Sequence, residues 1–256
     1  MTEASYFKAF RNIAMTREGG VLEARYHTDG GPLQWGADPG SIHEQLGEAF
    51  RLIGDDPENR VVILTGTGED FCRKPNGNEL KVPSDFATWH RIMRESRAMF
   101  MNLLDIDVPV ISAINGPATI HSELPILADV VLATPTVKFR DPHMKIGVVP
   151  GDGCHAIWNM LLGPSRGHYY LLTGETLSVE QAHAFGVVHE IHEPDMLMNR
   201  AREIAAGLAA RPIDALRYSR MLFAQPLKES LQRELPLGLA LEGLTAIANT
   251  RGAQDV

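Results

Sequence analysis

The stretch that decides the fold is VPVISAINGPATIHSELPILADVVLATPTVKFRDPHMKIGVVPGDGCHAIWNMLL, which runs from Val108 to Leu162. Its two apolar segments, residues 108–114 and 129–133, predict buried strands. An Asn-Gly-Pro turn ends the first segment, and Pro-Gly-Asp-Gly at residues 150–153 opens a helix. Strands and helices therefore alternate along this stretch, which is typical of an α/β protein.

The same alternation continues upstream. Apolar residues at helical spacing predict helices over residues 41–54 and 84–104, with Ser41 and Ser84 as N-caps. Further strands are expected within residues 11–28, around a Glu-Gly-Gly turn, and over residues 61–65. We therefore expect a mostly parallel sheet with helical crossovers.

The chain changes character beyond residue 178, where strand signals almost vanish. Successive helices are expected over residues 178–185, 195–210, 212–224 and 227–249. Pro194, Pro212 and Pro226 separate them, because proline disfavours a helix interior. The predicted organisation is an α/β core over residues 1–190 and a helical region over residues 191–256 that mediates oligomerisation.

Composition and charge narrow the classes of partner. The 256 residues carry a formal net charge of −8, which argues against nucleic acid or an anionic membrane because both require clustered Lys and Arg. No apolar run approaches the roughly 20 residues of a membrane span. The first residues, MTEASYFKAFRNIAM, lack the features of a signal peptide. Cys72 and Cys154 predict reduced thiols in a cytoplasmic protein, and a catalytic thiol at Cys154 stays open.

Titratable side chains occur at the turns between these elements, where a rigid scaffold presents chemistry. Two histidines, His121 and His143, and the carboxylate of Asp152 lie close together in the sequence. Histidine suits proton transfer because its ordinary pKa is about 6.5. A carboxylate on the other ring nitrogen would fix the tautomer, so Asp152 is the expected partner of His143. A metal site built from these residues and Glu242 is the alternative, but no metal-binding spacing supports it, so no metal is expected.

An ordered set of weak motifs covers residues 10–250. The set is VVILTGTGEDF, AINGPA, E-x-x-x-x-x-D-x-x-L-A, F-x-x-P-x-x-x-x-G-x-x-P-G-x-G, L-L-T-G and A-x-x-x-G-x-V. In this order the chain resembles the enoyl-CoA hydratase/isomerase family, also called the crotonase superfamily. The resemblance implies a spiral core of ββα units and a trimer or dimer of trimers. It also implies an oxyanion hole of two backbone N–H groups.

The chain departs from the typical enoyl-CoA hydratase of that family. Residues 119–123 read TIHSE, where the family has glycines that let the backbone approach the thioester oxygen. Glu123 matches the first catalytic glutamate, but His143 takes the place of the second, so the carboxylate pair for hydration is incomplete. The other oxyanion loop, FCRKPN at residues 71–76, also lacks its usual glycine. A standard hydratase is therefore disfavoured.

One branch of the superfamily, the 6-oxocamphor hydrolase and β-diketone hydrolase group, is similar at these departures. Six positions match it in chain order: Trp35 shortly before the first core helix, His43, His121, His143, Asp152, and Glu242 in the last helix. The resemblance implies that Trp35 binds the substrate and that the other five residues are catalytic. It also implies a retro-Claisen reaction, which cleaves the C–C bond between two carbonyls, and it implies no cofactor.

Three hypotheses of function follow. The first is a hydrolase that cleaves a cyclic or bicyclic β-diketone to a keto acid, with His143 as base, Asp152 as its support and His121 as the donor that stabilises negative charge. The second is an acyl-CoA hydratase, isomerase or thioester hydrolase, in which Arg73 and Lys74 would bind the CoA phosphates. The third is a non-catalytic assembly or RNA-binding protein, and the acidic pI of about 5.7 counts against RNA.

Overall fold

The computed structural model describes residues 4–77 and 85–252, which form a mixed α/β fold. In chain order the strands are β1 (Ile13–Glu18), β2 (Val21–Tyr26), β3 (Gln34–Trp35), β4 (Val61–Thr65), β5 (Lys74–Pro75), β6 (Val110–Ile114), β7 (Val130–Ala133), β8 (Lys138–Phe139), β9 (Leu177–Ser178) and β10 (Glu190–Ile191). The helices are α1 (Ile42–Asp55), α2 (Phe86–Asp105), α3 (Glu123–Ile126), α4 (Cys154–Leu162), α5 (Pro164–Thr173), α6 (Val179–Ala184), α7 (Pro194–Ala209) and α8 (Ile213–Gly252). Short 3₁₀ helices span Ser5–Lys8 and His143–Ile146.

The main sheet has six strands in the order β1-β2-β4-β6-β7-β10. Strands β1 and β2 form an antiparallel hairpin, and the remaining neighbours pair in parallel. Every residue of β4 and β6 is buried, which explains why both strands are nearly unbroken apolar runs in the sequence. The expected parallel sheet is therefore present.

Helices cover both faces of this sheet. Ile63 and Ile111 face α7, where they pack in one cluster with Leu197. Their strand neighbours Val62 and Val110 point to the opposite face and join the larger core, to which α1 and α2 contribute. The loop that carries His121 begins at the carboxyl end of β6.

The C-terminal region differs from the prediction. The two helices expected over residues 212–224 and 227–249 are one continuous helix, α8, and the predicted break at Pro226 is wrong. A proline in a helix interior removes a backbone hydrogen bond and costs about 3 kcal/mol. Burial of apolar side chains such as Leu231 and Leu239 against the core offsets that cost.

Helices α1 and α2 begin close to the predicted residues, but no described serine caps either of them through its side chain. Ser41 holds the N-cap position of α1, but its side chain makes no capping hydrogen bond. Ser84 lies outside the described residues, and the N-cap of α2 is Asp85, which accepts the Thr88 N–H at 2.9 Å. The boundary expected after residue 190 falls inside β10, and the division into two regions stays a prediction.

Both cysteines, Cys72 and Cys154, are buried free thiols. Burial raises the pKa of Cys154 well above its usual range, so this thiol is not a nucleophile at neutral pH. In the part of the chain that the structure describes, no helix combines the length and the apolar character that crossing a membrane requires.

One buried arginine ties α8 to the sheet. Arg220 Nε donates to Asp129 Oδ2 at 2.7 Å. Its guanidinium also donates to the carbonyls of Leu104, in the last turn of α2, and of Ile106, just after that helix. Asp129 Oδ2 accepts the Val110 N–H at 2.7 Å as well. The network therefore joins the end of α2, the starts of β6 and β7, and α8.

Arg220→Met should lower the free energy of unfolding by about 3–5 kcal/mol, because it leaves Asp129 without its counter-charge. Urea denaturation followed by circular dichroism measures the change. Arg233→Met is the control, since Arg233 is 72% exposed and pairs with the neighbouring Glu234; its effect should stay within about 0.5 kcal/mol. Equal stability of the two variants would show that the network does not hold α8 in place.

Candidate functional site

A cavity of about 300 Å³ lies between α1, α2 and α8, beside the loops that precede α3 and α4. All six residues singled out in the sequence line it: Trp35, His43, His121, His143, Asp152 and Glu242. They come from β3, α1, the loop before α3, the second 3₁₀ helix, the loop before α4, and α8. The fold therefore brings together residues that are spread over most of the chain.

Asp152 reaches the cavity because two backbone segments approach each other closely. A Cβ on Gly151 would lie 2.1 Å from the Gly238 carbonyl oxygen, and a Cβ on Gly238 would lie 2.2 Å from the Gly151 carbonyl oxygen. Only glycine fits at either position. The contact presses the Asp152 loop against α8 one helical turn before Glu242.

Asp152 lies between two histidines. Its Oδ2 is 3.5 Å from His121 Nδ1 and 3.7 Å from His143 Nε2. All three side chains are largely buried, so solvent screens their charges only weakly. One carboxylate on the cavity wall thus interacts with an imidazole on either side.

His143 has a different hydrogen-bond partner from the predicted one. Its Nδ1 is 2.9 Å from Asp141 Oδ2, and Asp141 Oδ1 accepts the His143 backbone N–H at 3.0 Å. The hydrogen bond predicted between His143 and Asp152 is not formed, because 3.7 Å is too long. His143 Nε2 lies closer to Glu242 Oε1, at 3.3 Å. The signal for Asp141 was its Asp-x-His spacing at a turn, where an aspartate commonly binds the backbone two residues on.

His121 has a left-handed backbone conformation, with φ of 46°. Few residues other than glycine adopt it, which agrees with the family's glycine at this place. His121 Nδ1 is 2.6 Å from Glu123 Oε1, and Trp35 stacks on the ring with the centroids 3.9 Å apart. The ring is therefore fixed, and its Nε2 has no hydrogen-bond partner among the described residues.

The surrounding carboxylates favour the charged form of both histidines. Burial opposes charge on His121, but Glu123 and Asp152 outweigh burial and raise its pKa. Burial also opposes charge on His143, but Asp152 and Asp141 raise the pKa of that ring well above its usual range. The charged form of both imidazoles, which carries a proton on each nitrogen, is therefore favoured.

Two carboxyl groups of the cavity have opposite pKa shifts. Burial would raise the pKa of Asp152, but the charges of His143 and His121 lower it to about 2. Burial, with a contribution from Asp152, raises the pKa of Glu242 to about 7. Glu242 Oε2 is buried and has no hydrogen-bond partner within the described residues. Asp152 is therefore a constant anion, whereas Glu242 gains and loses a proton near neutral pH.

The raised pKa opposes the base role expected for His143, and that role stays a prediction. A general base must be unprotonated before it accepts a proton, and the raised pKa of His143 favours its protonated form. Glu242 is the group with a pKa near neutrality, and its Oε1 is 3.3 Å from His143 Nε2. Burial and Asp152 raise the pKa of Glu242, against the smaller effect of the positive charge of His143, which lowers it.

His43 belongs to a second polar group on the same cavity. Its Nδ1 is 2.8 Å from Glu95 Oε2, and its Nε2 is 3.1 Å from Ser96 Oγ. Arg91 Nη1 donates to Glu95 Oε1 at 2.7 Å. Burial lowers the pKa of His43, so this ring is neutral at neutral pH. Sequence reasoning missed Glu95 and Ser96, because nothing local marks a pairing across 52 positions.

Two groups of described side chains are compact enough to surround a metal ion: Asp141, His143, Asp152 and Cys154, and His121, Glu123 and Asp152. The donor atoms within each group lie within 4.8 Å of one another. A histidine ligand must be unprotonated, so the raised pKa of each histidine disfavours metal binding. The expected absence of a metal stays a prediction.

The sequence profile of the enoyl-CoA hydratase/isomerase family matches residues 40–246. Carnitinyl-CoA dehydratase from Salmonella enteritidis PT4 is 35% identical over 165 residues, which are 64% of this chain and 62% of the dehydratase. The matched part therefore spans less than two thirds of that relative. The resemblance inferred from the ordered motifs is confirmed.

A β-diketone hydrolase from the cyanobacterium Anabaena sp. PCC 7120, solved with (S)-3-oxocyclohexyl acetic acid, is 41% identical to this chain. The match covers 97% of this chain and 99% of the hydrolase, with a TM-score of 0.92. An enoyl-CoA hydratase/isomerase from Mycobacterium paratuberculosis matches 93% of this chain and 94% of its own, with a TM-score of 0.84 and 22% identity, a likeness of fold alone. The expected crotonase-type α/β fold with a helical C-terminal region is confirmed.

Nitrogen-15 NMR of the imidazole rings at pH 7 should show His121 and His143 protonated on both nitrogens and His43 protonated on one. Asp141→Asn should lower the pKa of His143, because it removes a carboxylate from Nδ1. Asp195→Asn, at an exposed position on α7, should leave that pKa unchanged. A neutral His143 at pH 7 in the unchanged protein would contradict this protonation and restore the predicted base role.

Proposed function

Since the chain belongs to the enoyl-CoA hydratase/isomerase family, we propose that it is an enzyme that hydrolyses a C–C bond of a cyclic or bicyclic β-diketone. The reaction is a retro-Claisen cleavage that yields a keto acid. The observation that carries the proposal is the placement of two imidazoles, His121 and His143, on either side of Asp152 in a cavity of about 300 Å³. The 41% identity to a β-diketone hydrolase supports the same activity.

Two substrate oxygens gain negative charge during such a cleavage, one in the tetrahedral intermediate and one in the departing enolate. Each is stabilised best by a hydrogen-bond donor that is in place before the reaction. Glu123 binds Nδ1 of His121 and Asp141 binds Nδ1 of His143, so each ring offers an Nε2–H to the substrate in its protonated form. In the absence of substrate, Nε2 of His143 lies 3.3 Å from Glu242 Oε1. Such donors stabilise the transition state more than the ground state, because the charge develops during the step.

Glu242 supplies the proton acceptor in this proposal. Its ionised carboxyl takes a proton from a water molecule while the hydroxyl bonds to one carbonyl carbon. The C–C bond then breaks toward the second carbonyl, and the enolate carbon takes up the proton. Water is thereby added across the broken bond, and the products need no cofactor. A pKa of about 7 for Glu242 suits a group that both accepts and returns a proton near neutral pH.

The cavity suits a small, largely apolar ring system. Trp35, Trp89 and Ile92 line it, and its volume of about 300 Å³ is at the lower end for ligand pockets. The compound bound to the Anabaena hydrolase is a cyclic ketone with an acetic acid arm. Ring opening of a bicyclic β-diketone gives a keto acid of this kind, so we assign a bicyclic diketone of similar size as the substrate class.

An acyl-CoA thioester is the second candidate substrate, because part of the chain matches carnitinyl-CoA dehydratase. Two contacts favour the diketone instead. Glu123, at the place of the family's first catalytic glutamate, is engaged by His121 Nδ1. Arg73, from the pair expected to bind CoA, contacts Asp70 at 3.0 Å.

Trimeric or hexameric assembly and a cytoplasmic location stay predictions.

Incubation with a panel of cyclic and bicyclic 1,3-diketones, with crotonyl-CoA in parallel, tests the proposal. We expect loss of diketone absorbance and formation of a keto acid that carries one oxygen from labelled water. Crotonyl-CoA should stay unhydrated, because the second glutamate is replaced by His143. Hydration of crotonyl-CoA with no cleavage of any diketone would contradict the proposal and support the acyl-CoA hypothesis instead.

His121→Ala should lower kcat for diketone cleavage by about 10²–10³-fold with a smaller effect on KM, because the donor acts mainly on charge that develops in the transition state. Steady-state kinetics measures both constants. His168→Ala, at an exposed position on α5, is the control and should leave them unchanged. An increase in KM alone would mean that His121 only binds the ground state.

A further inference from the structure

The second polar group of the cavity has the connectivity of a serine hydrolase triad. Glu95 contacts His43 Nδ1 at 2.8 Å, and Ser96 Oγ contacts His43 Nε2 at 3.1 Å. A carboxylate accepts hydrogen bonds only, so Nδ1 carries the ring proton and Nε2 accepts from the serine. This is the tautomer in which a histidine can take a proton from a serine hydroxyl.

Neighbouring groups hold Glu95 and His43 in the positions and charge states that this arrangement requires. Arg91 contacts both Glu95 oxygens, at 2.7 and 2.9 Å, and donates to the Ala37 carbonyl at 2.7 Å, which fixes the carboxylate. Burial would raise the pKa of Glu95, but the hydrogen bonds from His43 and Arg91 lower it, so the group stays ionised. His43 is buried and neutral, so its Nε2 is free to accept a proton.

Ser96 is placed on the wall of the cavity. Trp89, Ile92 and Ser96 follow one another at helical spacing on α2, and all three line the cavity. His121 lines the same cavity, with its ring centroid 6.1 Å from that of His43. Its Nε2–H, unpartnered among the described residues, is therefore available to an oxygen of a molecule bound beside Ser96.

We propose that Ser96, His43 and Glu95 form a second hydrolytic site in this cavity, in which Ser96 is the nucleophile toward uncharged esters of small carboxylic acids. Ser96 Oγ bonds to the ester carbonyl carbon while its proton passes to His43 Nε2. The carbon–oxygen bond to the alcohol breaks, and the alcohol leaves with that proton. Water then attacks the acyl-serine through the same histidine, which releases the acid and restores the serine. His121 donates to the carbonyl oxygen in both steps.

This activity goes beyond diketone cleavage and shares only the donor His121 with it, since neither His143 nor Glu242 takes part. A direct hydrolysis of the diketone by water leaves no covalent intermediate, whereas ester hydrolysis passes through an acyl-serine. A covalent adduct on Ser96 therefore reports on this proposal alone, whatever the outcome of the diketone assay.

Phenylmethylsulfonyl fluoride and 4-nitrophenyl acetate are the probes. We expect one sulfonyl adduct in the intact mass of the unchanged protein, located on Ser96 by peptide mass spectrometry, and release of 4-nitrophenol with an initial burst. Ser96→Ala should abolish the adduct and the burst. Ser112→Ala is the matched control, because Ser112 is an equally buried serine that does not line the cavity, and it should be labelled as the unchanged protein is.

Glu95→Gln should slow release of 4-nitrophenol by about 10²–10⁴-fold, because the amide no longer selects the required tautomer of His43. Adduct formation is measured on the unchanged protein, so the decision does not depend on the folding of a variant. Absence of an adduct on Ser96, or a burst that Ser96→Ala leaves intact, would overturn the proposal and leave these three residues as a structural link between α1 and α2.

Discussion

The balance of buried charge around Asp152 is the constraint on which the site depends. An unpaired charge in such surroundings costs several kcal/mol, so each carboxylate here requires a cation and each imidazolium an anion. Asp152 meets this need for His121 and His143 at once, at 3.5 and 3.7 Å. Its own anionic form is held in turn by both rings. The protonation of each member therefore depends on the others, and the group behaves as one unit.

The same cavity holds histidines whose pKa values shift in opposite directions, and the neighbouring charges explain the difference. His121 faces Glu123 and Asp152, whose negative charges outweigh its burial. His43 faces Glu95, but Arg91 already neutralises much of that carboxylate, and burial decides the pKa of the ring. A donor and an acceptor imidazole thus lie with their centroids 6.1 Å apart.

The sequence predicted those parts of the molecule that depend on short-range patterns of residues. Apolar runs bounded by turn residues indicated the parallel strands. The order of the motifs placed Trp35 and Glu242 in one site, although most of the chain separates them. The continuity of α8 through Pro226 could not be predicted, because packing against the core, and not local preference, keeps that helix intact.

The partners of the histidines were harder to predict than the histidines themselves. Asp141 competes with Asp152 for His143, and only the three-dimensional distances show that Asp141 forms the hydrogen bond. In the sequence Glu95 and Ser96 are ordinary helix positions, and their contacts with His43 arise only because α1 packs against α2. The pKa shifts of the histidines could not be predicted from the sequence either, because they depend on burial and on the summed charge of neighbours in the folded structure.

The close contact between Gly151 and Gly238 also determines when the site can exist during synthesis. The Asp152 loop leaves the ribosome well before the helical turn that it packs against, because about 90 residues separate Asp152 from Glu242 at a rate of ~5–20 residues per second. For roughly 5–20 s the nascent chain therefore carries both imidazoles and Asp152 without the helix that supplies Glu242. The cavity is therefore complete only after α8 has docked, because Glu242 and Ala246 form part of its wall.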